Sequence, residues 1–345
     1  MKYFLLVLSC WVVIPAYAQT TTAVPFLGIT PDARAAGMGD RGLTTGVGVF
    51  GNRAALPLDS ARAGVSLDYS PWLKQVTENV FLAAAGAFYK PDESSALSVG
   101  LRYFDIGDLP VEDNAGNKLF TAEPREYALD IGYSRRLSGR LGVGVALRYI
   151  HSNLGTGSVD GTAYKAAAAV AGDLDLYYDG ADVRGQGWSA GLALSNLGSK
   201  INYTDDPGGA DYLPATLGAG LQYTLVPDEA NRLCIGLEAA KLLVPASDSI
   251  GDAHDGVVES WGRSFGNDAY RFSAGVEYGY QGVFFLRAGY VWETPAMGDL
   301  RYWTFGLGLC WKGTGVDLSY LAPSGQGVLA SPLGNTLRLG VHWRF

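Results

Sequence analysis

"NTLRLGVHWRF" (335–345), the C-terminal stretch, decides the fold. Leu337, Leu339, Val341, Trp343 and Phe345 share one face, and Arg338, Gly340, His342 and Arg344 share the other. A period of two is the signature of a strand with one apolar and one polar side. The same alternation recurs in "RLGVGVALRY" (140–149), "YRFSAGVEYGY" (270–280) and "RYWTFGLGLCW" (301–311).

Working back from the C-terminus, about fourteen such segments emerge, and the expected strand count is an even number from twelve to sixteen. The spans are 62–72, 79–89, 95–105, 122–135, 140–150, 164–178, 185–196, 213–225, 231–243, 268–280, 282–292, 301–311, 314–321 and 336–345. Each is close to the ~9–11 residues that cross a bilayer as a tilted strand. The sixth, "YKAAAAVAGDLDLYY", has the least contrast between its faces because alanine fills both.

The polar face tells which side is wet. In a soluble sandwich it would be dominated by Lys, Glu and Asp. Here it is mostly Gly, Ser and Ala with isolated charges, namely Arg102, Asp130, Arg148, Glu238, Glu277, Arg287 and Asp317. The apolar face carries almost no mid-strand charge, and Trp292, Trp303, Trp311, Trp343, Tyr149 and Tyr280 gather at strand ends, as in interfacial girdles. A closed, lipid-facing barrel satisfies every backbone group without helices. Connections alternate too. "LAPSGQGVLASPLGN", "ETPAMGDL" and "VPASDSIGDAHDGVVESWGRSFGN" are long, while "KGT", "QG" and "VPDEAN" are short. Long external loops and short periplasmic turns are the rule for such barrels, which puts both termini in the periplasm. The chain ends on Phe345, the expected insertion signal of the terminal strand. The fold class is therefore all-β, a transmembrane outer-membrane barrel of antiparallel strands.

The N-terminus agrees. Lys2, the apolar run Phe4–Ile14 and Ala16-Tyr17-Ala18 before Gln19 make a secretory signal peptide over 1–18. A lipoprotein signal ending at Cys10 would leave an apolar run of only about half a dozen residues, below the usual range. Cleavage leaves Cys234 and Cys310, which are too few for a disulfide framework and are read as free thiols. No later apolar run reaches the ~20 residues of a membrane helix. With 47 glycines, 12% aromatics and 17% charged residues among 345, the composition is unlike that of a cytosolic enzyme, and a net charge of -8 argues against nucleic acid as a partner.

Residues 19–60 precede the first strand, so the chain divides into a signal peptide (1–18), an N-terminal segment (19–60) and a barrel (61–345). Gly37, Gly39 and Gly42 spell G-x-G-x-x-G. A dinucleotide site needs a buried strand before that motif and a helix after it. Here Pro31 and Asp32 precede it and a run rich in Gly and Thr follows, so the glycines are read as close-packing residues. "ITPDARAAGMGD" (29–40) resembles the N-terminal motif of the PorV family of the type IX secretion system. The residues that carry the resemblance are Pro31, Asp32, Ala33, Arg34, Gly37, Met38, Gly39 and Asp40. "GNRAAL" (51–56) is similar to the family's Asn-Pro-Ala-x-Leu segment, with Arg53 where proline is usual. The sibling PorQ family shares only the "ARA" segment. The wider relatives are FadL-like fourteen-stranded barrels, whose N-terminal segment enters the lumen as a hatch. The resemblance implies a protein that binds the C-terminal signal domain of cargo at a large translocon barrel and delivers it to a PorU-type sortase and attachment complex. Membrane lipid and lipopolysaccharide would surround it. Asp32, Arg34 and Asp40 are expected to pair with lumen charges such as Arg148, Arg287 or Glu277.

Chemistry beyond binding has little support in the residues. His151, His254 and His342 fall at different places along the strands and loops, so no catalytic triad assembles. The resemblance also implies, as a third reading, a role in lipopolysaccharide deacylation, but lipid A deacylase barrels carry His-x-Ser, whereas here Ser152 directly follows His151. Neither a catalytic site nor a cofactor is expected. Asp205, Asp206, Asp211 and "DSIGDAHD" offer loop oxygens for a calcium ion, but acidic external loops are more often only solvated. A channel for hydrophobic compounds is the alternative. It needs an apolar pocket, while the lumen-facing sets read as Gly, Ser and charges. Loops 105–121, 197–212 and 244–267, with Tyr203, Tyr212, Trp261 and Phe265, are the expected partner surface.

Overall fold

The computed structural model describes residues 20, 22–45, 48–71, 80–112, 118–159, 161–245, 256–324 and 335–345. The signal peptide and all of "DSIGDAHD", His254 included, lie outside the described residues. Fourteen antiparallel strands close into a barrel. In chain order they are β1 Ala63–Pro71, β2 Phe81–Tyr89, β3 Ser95–Asp105, β4 Arg125–Arg136, β5 Leu141–Asn153, β6 Ala167–Asp179 and β7 Gly187–Gly198. There follow β8 Thr216–Leu225, β9 Asn231–Leu242, β10 Tyr270–Tyr280, β11 Phe284–Glu293, β12 Arg301–Trp311, β13 Thr314–Pro323 and β14 Thr336–Arg344. Every strand pairs with its sequence neighbour, and β1 closes on β14 with Tyr69 opposite Leu339 and Val65 opposite Trp343. Such closure leaves no strand edge, which a bilayer demands.

The faces point as the alternation requires. Leu337 and Leu339 are 55% and 42% exposed on the outer wall, while Arg338 between them is fully buried. In β6 the low-contrast alanines follow the same rule, with Ala167, Ala169 and Ala171 buried and Val170 exposed. Trp292, Trp303 and Tyr149 ring the wall at the long-loop end, and Trp311, Tyr280 and Phe284 ring it at the other. The two-residue turns Gln281-Gly282 and Lys312-Gly313 have positive φ throughout, the geometry that suits a tight hairpin. The long loops carry small ribbons, such as Leu109–Glu112 with Lys118–Ala122, and a helix Val257–Arg263.

One expectation is corrected. The C-terminal strand ends at the short-turn end, where Phe345 donates to Ala63 O. The N-terminal segment does not begin there. Thr20 donates to Ala296 O and Ala23 to Tyr212 O, both in long loops. The segment thus starts at the long-loop end, where its apolar residues 23–29 join a buried apolar cluster, and descends inside the barrel before entering β1.

Candidate functional site

The described residues of segment 30–58 touch the inner side of strands around the whole circumference. Asp32 opens a short helix, Ala33–Ala36, by accepting from Ala35 N at 3.0 Å. The small residues that follow allow backbone-to-backbone packing on the glycines of the wall. A Cβ on Gly37 would lie 3.0 Å from Gly306 Cα. Gly39 has φ +81°, and a Cβ there would lie 2.6 Å from Ala274 O. Its N–H donates to Thr304 Oγ1 at 2.8 Å. At this position the motif needs glycine for conformation and space together.

Charges tie the segment to the wall. Arg34 donates to both oxygens of Glu277, at 2.9 Å from Nε and 2.7 Å from Nη2. Glu277 also accepts from Arg287 Nε at 2.6 Å, and Arg287 reaches Asp317 at 2.6 Å. Asp40 pairs with Arg338 at 3.0 Å and accepts from the Tyr302 hydroxyl. Arg338 also holds Thr30 O at 2.8 Å. Arg41 is fully buried and donates to Gly275 O, Thr44 Oγ1 and Gln222 Oε1. Glu238 accepts from the N–H groups of Gly42 and Leu43. On the opposite wall, Arg53 donates to Asp173 at 3.0 Å, and Arg148 bridges Asp130 and Asp173 at 2.5 and 2.7 Å. Buried charges persist only when paired and hydrogen-bonded in this way.

Of the expected pairings, Arg34 with Glu277 is present. The other two differ. Asp32 spends its carboxylate on the helix N-terminus and on no ion pair among the described residues, and Asp40 takes Arg338. Arg148 is already held by Asp130 and Asp173, so it has no free donor to offer the helix. Sequence reasoning missed Arg41 and Arg338. The signal for Arg338 was available as the charge nearest the middle of the polar face of the last strand. Arg53 was noted only as a departure from the usual proline, yet its guanidinium sits 3.0–3.7 Å from three carboxylates: those of Asp130, Asp173 and Asp175.

The lumen is not polar throughout, which corrects the reading from strand faces. At the outer end Val24, Phe26, Leu27 and Ile29 pack with Leu82, Phe104, Ala128, Ile150, Ala169 and Ile201. Phe26 stacks on Phe104, ring centroids 6.0 Å apart. The alternation fails to show this because the apolar inward residues cluster in the last turns of β2–β6 and in loops. A cavity of about 530 Å³ remains at the short-turn end, bordered by Tyr177, Trp188, Arg232, Cys234, Cys310 and His342. Both cysteines are free.

The loop aromatics fall into two groups. Tyr203 is half-buried against the outer apolar cluster, and its hydroxyl donates to Ser152 Oγ at 2.8 Å. Burial pushes that phenol up to about 12. Tyr212 packs on Leu242, Val244 and Ala269 under Lys200, whose ammonium lies 4.1 Å from the ring centroid. Trp261 is half-buried, and Phe265 is 61% exposed. The acidic loop residues do not converge, since Asp205 pairs with Lys165 while Asp206 accepts from Gly208 N. His151 stacks on Tyr127 and His342 lies 3.3 Å from Asp317, on separate parts of the wall.

The family model for the type IX secretion system protein PorV matches residues 16–249. No curated protein matches. Among solved structures, the toluene transporter TbuX of Ralstonia pickettii has a TM-score of 0.58 at 13% identity, covering 91% of this chain and 98% of that one. The toluene transporter TodX of Pseudomonas putida gives 0.55 at 14%, covering 90% and 95%. A Pseudomonas aeruginosa FadL homologue gives 0.50 at 12%, covering 96% and 100%. These likenesses show the FadL-like fold. The family match spans more than half of the sequence, including the small-residue motif packed against the barrel glycines, so the chain belongs to the PorV family and is an outer-membrane component of the type IX secretion system.

Proposed function

We propose that this barrel receives secreted cargo from the large translocon barrel, holds the cargo's C-terminal signal domain on its external loops, and passes it to the attachment complex with its PorU-type sortase. The observation that carries this reading is the occupied lumen. Arg34, Asp40, Arg41 and Arg53 are tied to the wall on several sides, and the outer mouth is closed by Val24, Phe26 and Leu27. A folded or extended protein has no passage there, so protein handling falls to the loops and the outer wall. Val258 and Phe265, 74% and 61% exposed on the longest loop, offer apolar contacts of the kind that anchor interfaces. In this reading residues 1–18 are a cleaved leader and 19–60 act as a hatch that stays shut. The test is mild extraction of the tagged native protein. Recovery of a very large barrel or signal-bearing cargo supports the proposal, and recovery of an isolated monomer overturns it. Deleting 246–264 from a properly inserted barrel should then abolish cargo recovery.

The second reading is a channel for hydrophobic compounds. It is favoured by the apolar cluster at the outer mouth, where Phe26 occupies the place a small apolar molecule would take. Uptake of such a molecule by the purified barrel in liposomes would select it.

A further inference from the structure

The outer wall has a dent. Along one row of outward positions, Ile131 faces Leu147, Leu147 faces Gly172, and Gly172 faces Leu197. Gly172 alone brings no side chain to that row, and Leu147 beside it is the most exposed of these leucines, at 68%. The β6–β7 ladder also shifts here. Gly172 pairs with Leu197 but Leu174 with Leu194, so Ser195 and Asn196 together oppose Asp173. This is a β-bulge, which bends the strand and raises its local twist beside the dent. Asn196 has φ 59° and is pinned from inside, its N–H donating to Asp173 at 2.8 Å and its amide to Pro214 O at 3.0 Å. The dent is therefore preformed. It measures about 430 Å³ and is bounded by Leu97, Ile131, Tyr133, Val145, Leu174 and Leu197.

A cation stands at its foot. Arg135 is the outward residue two positions beyond Tyr133 on β4, toward the short-turn end, and it is exposed. Its guanidinium has no hydrogen-bond or ion-pair partner among the described residues. From Ile131 to Arg135 is about 13 Å of strand, at ~3.3 Å per residue. At the ~35–45° tilt of such strands this spans about 10 Å of depth, within the ~15 Å hydrocarbon depth of one leaflet.

We propose that the dent is a lipid site: it seats one acyl chain of an anionic phospholipid from the periplasmic leaflet, with the lipid phosphate on Arg135. An apolar trough ending on a cation with no partner among the described residues, at the interface, is complementary to that amphiphile in both shape and charge. The bulge bends the strand beside the trough, and Gly172 keeps the trough empty of protein.

The test is native mass spectrometry of the purified full-length barrel equilibrated with phosphatidylglycerol and phosphatidylethanolamine. Wild type should retain one phosphatidylglycerol. Gly172→Leu, which fills the trough, should lower retention at least tenfold. Arg135→Gln, away from the packed wall, should remove the preference for phosphatidylglycerol while the barrel stays folded by heat-dependent gel mobility. Equal retention in all three proteins overturns the site. So does retention of lipopolysaccharide in place of phospholipid, or a Gly172→Leu protein that keeps its lipid but loses a protein partner. The readout is lipid bound to the isolated barrel, so it stands apart from cargo handling.

Discussion

Arg34 and Glu277, 243 positions apart in sequence, meet in a two-pronged pair of 2.9 and 2.7 Å inside the barrel. The pair is the last link in a chain of charges running from His342 through Asp317, Arg287 and Glu277 to the short helix. Arg34→Ala removes one link but leaves Glu277 on Arg287, so the barrel should persist. The loss should be about 1.5–3 kcal/mol, the range for hydrogen bonds to charged groups. It should fall on the N-terminal segment, read as faster proteolysis near residues 30–45 with unchanged heat-dependent mobility of the barrel. Wild-type protection in the variant would show that the pair holds nothing in place.

The three motif glycines should not respond alike. Gly39 combines φ +81° with a Cβ clash on Ala274 O, whereas a Cβ on Gly42 meets nothing nearer than Gly51 Cα at 3.5 Å. Gly39→Ala should therefore cost about 1–3 kcal/mol from backbone strain and release the segment, while Gly42→Ala should leave it in place. Limited proteolysis of both variants decides. If Gly42→Ala proved the worse, close packing would not be what the motif is for.

Much of this molecule was legible from period two alone. Leu339 outward and Arg338 inward follow directly from alternation, and every strand lies within a few residues of its expected span. The descent of the N-terminal segment was partly legible. Small residues at 33–39 announced tight packing, but nothing local says that Asp40 meets Arg338 or that Arg53 joins Asp130, Asp173 and Asp175. Those pairings depend on how far the segment has rotated in the lumen, which no single strand encodes. The apolar outer mouth was hidden for another reason. Phe104 and Ile150 read as ends of strands, and only ring closure brings them to face Phe26.

Depth in the membrane gives a prediction with an internal control. Leu147 lies mid-strand on the outer wall and Leu137 in a short turn, and they are 68% and 58% exposed. Exposure to water would make arginine equally harmless at both. Exposure to lipid would not. Leu147→Arg should destabilise the barrel by about 2–4 kcal/mol, and Leu137→Arg by about 0–1 kcal/mol, following the depth dependence of charged residues in such walls. Urea titration of the two proteins in liposomes measures the difference.

The two functional readings part over whether the segment must move. Thr20 and Ala296 are joined by a backbone hydrogen bond of 3.1 Å at the outer mouth, linking the segment to a long loop. A Thr20→Cys, Ala296→Cys pair, made in a Cys234→Ser, Cys310→Ser background, would tether the mouth shut when oxidised. A barrel that works through its loops and wall keeps its inside closed throughout. Oxidation should then leave cargo delivery within about twofold of the reduced protein, while any passage of small apolar molecules stops. A channel gives the opposite pattern, because its substrate must displace Phe26 from Phe104 and Ile150 before it can enter. Secretion assayed with and without reductant on the same cells separates the two. Loss of delivery on oxidation alone would mean that the segment is a moving part of the secretion step, and the closed-lumen argument for cargo handling would have to be given up.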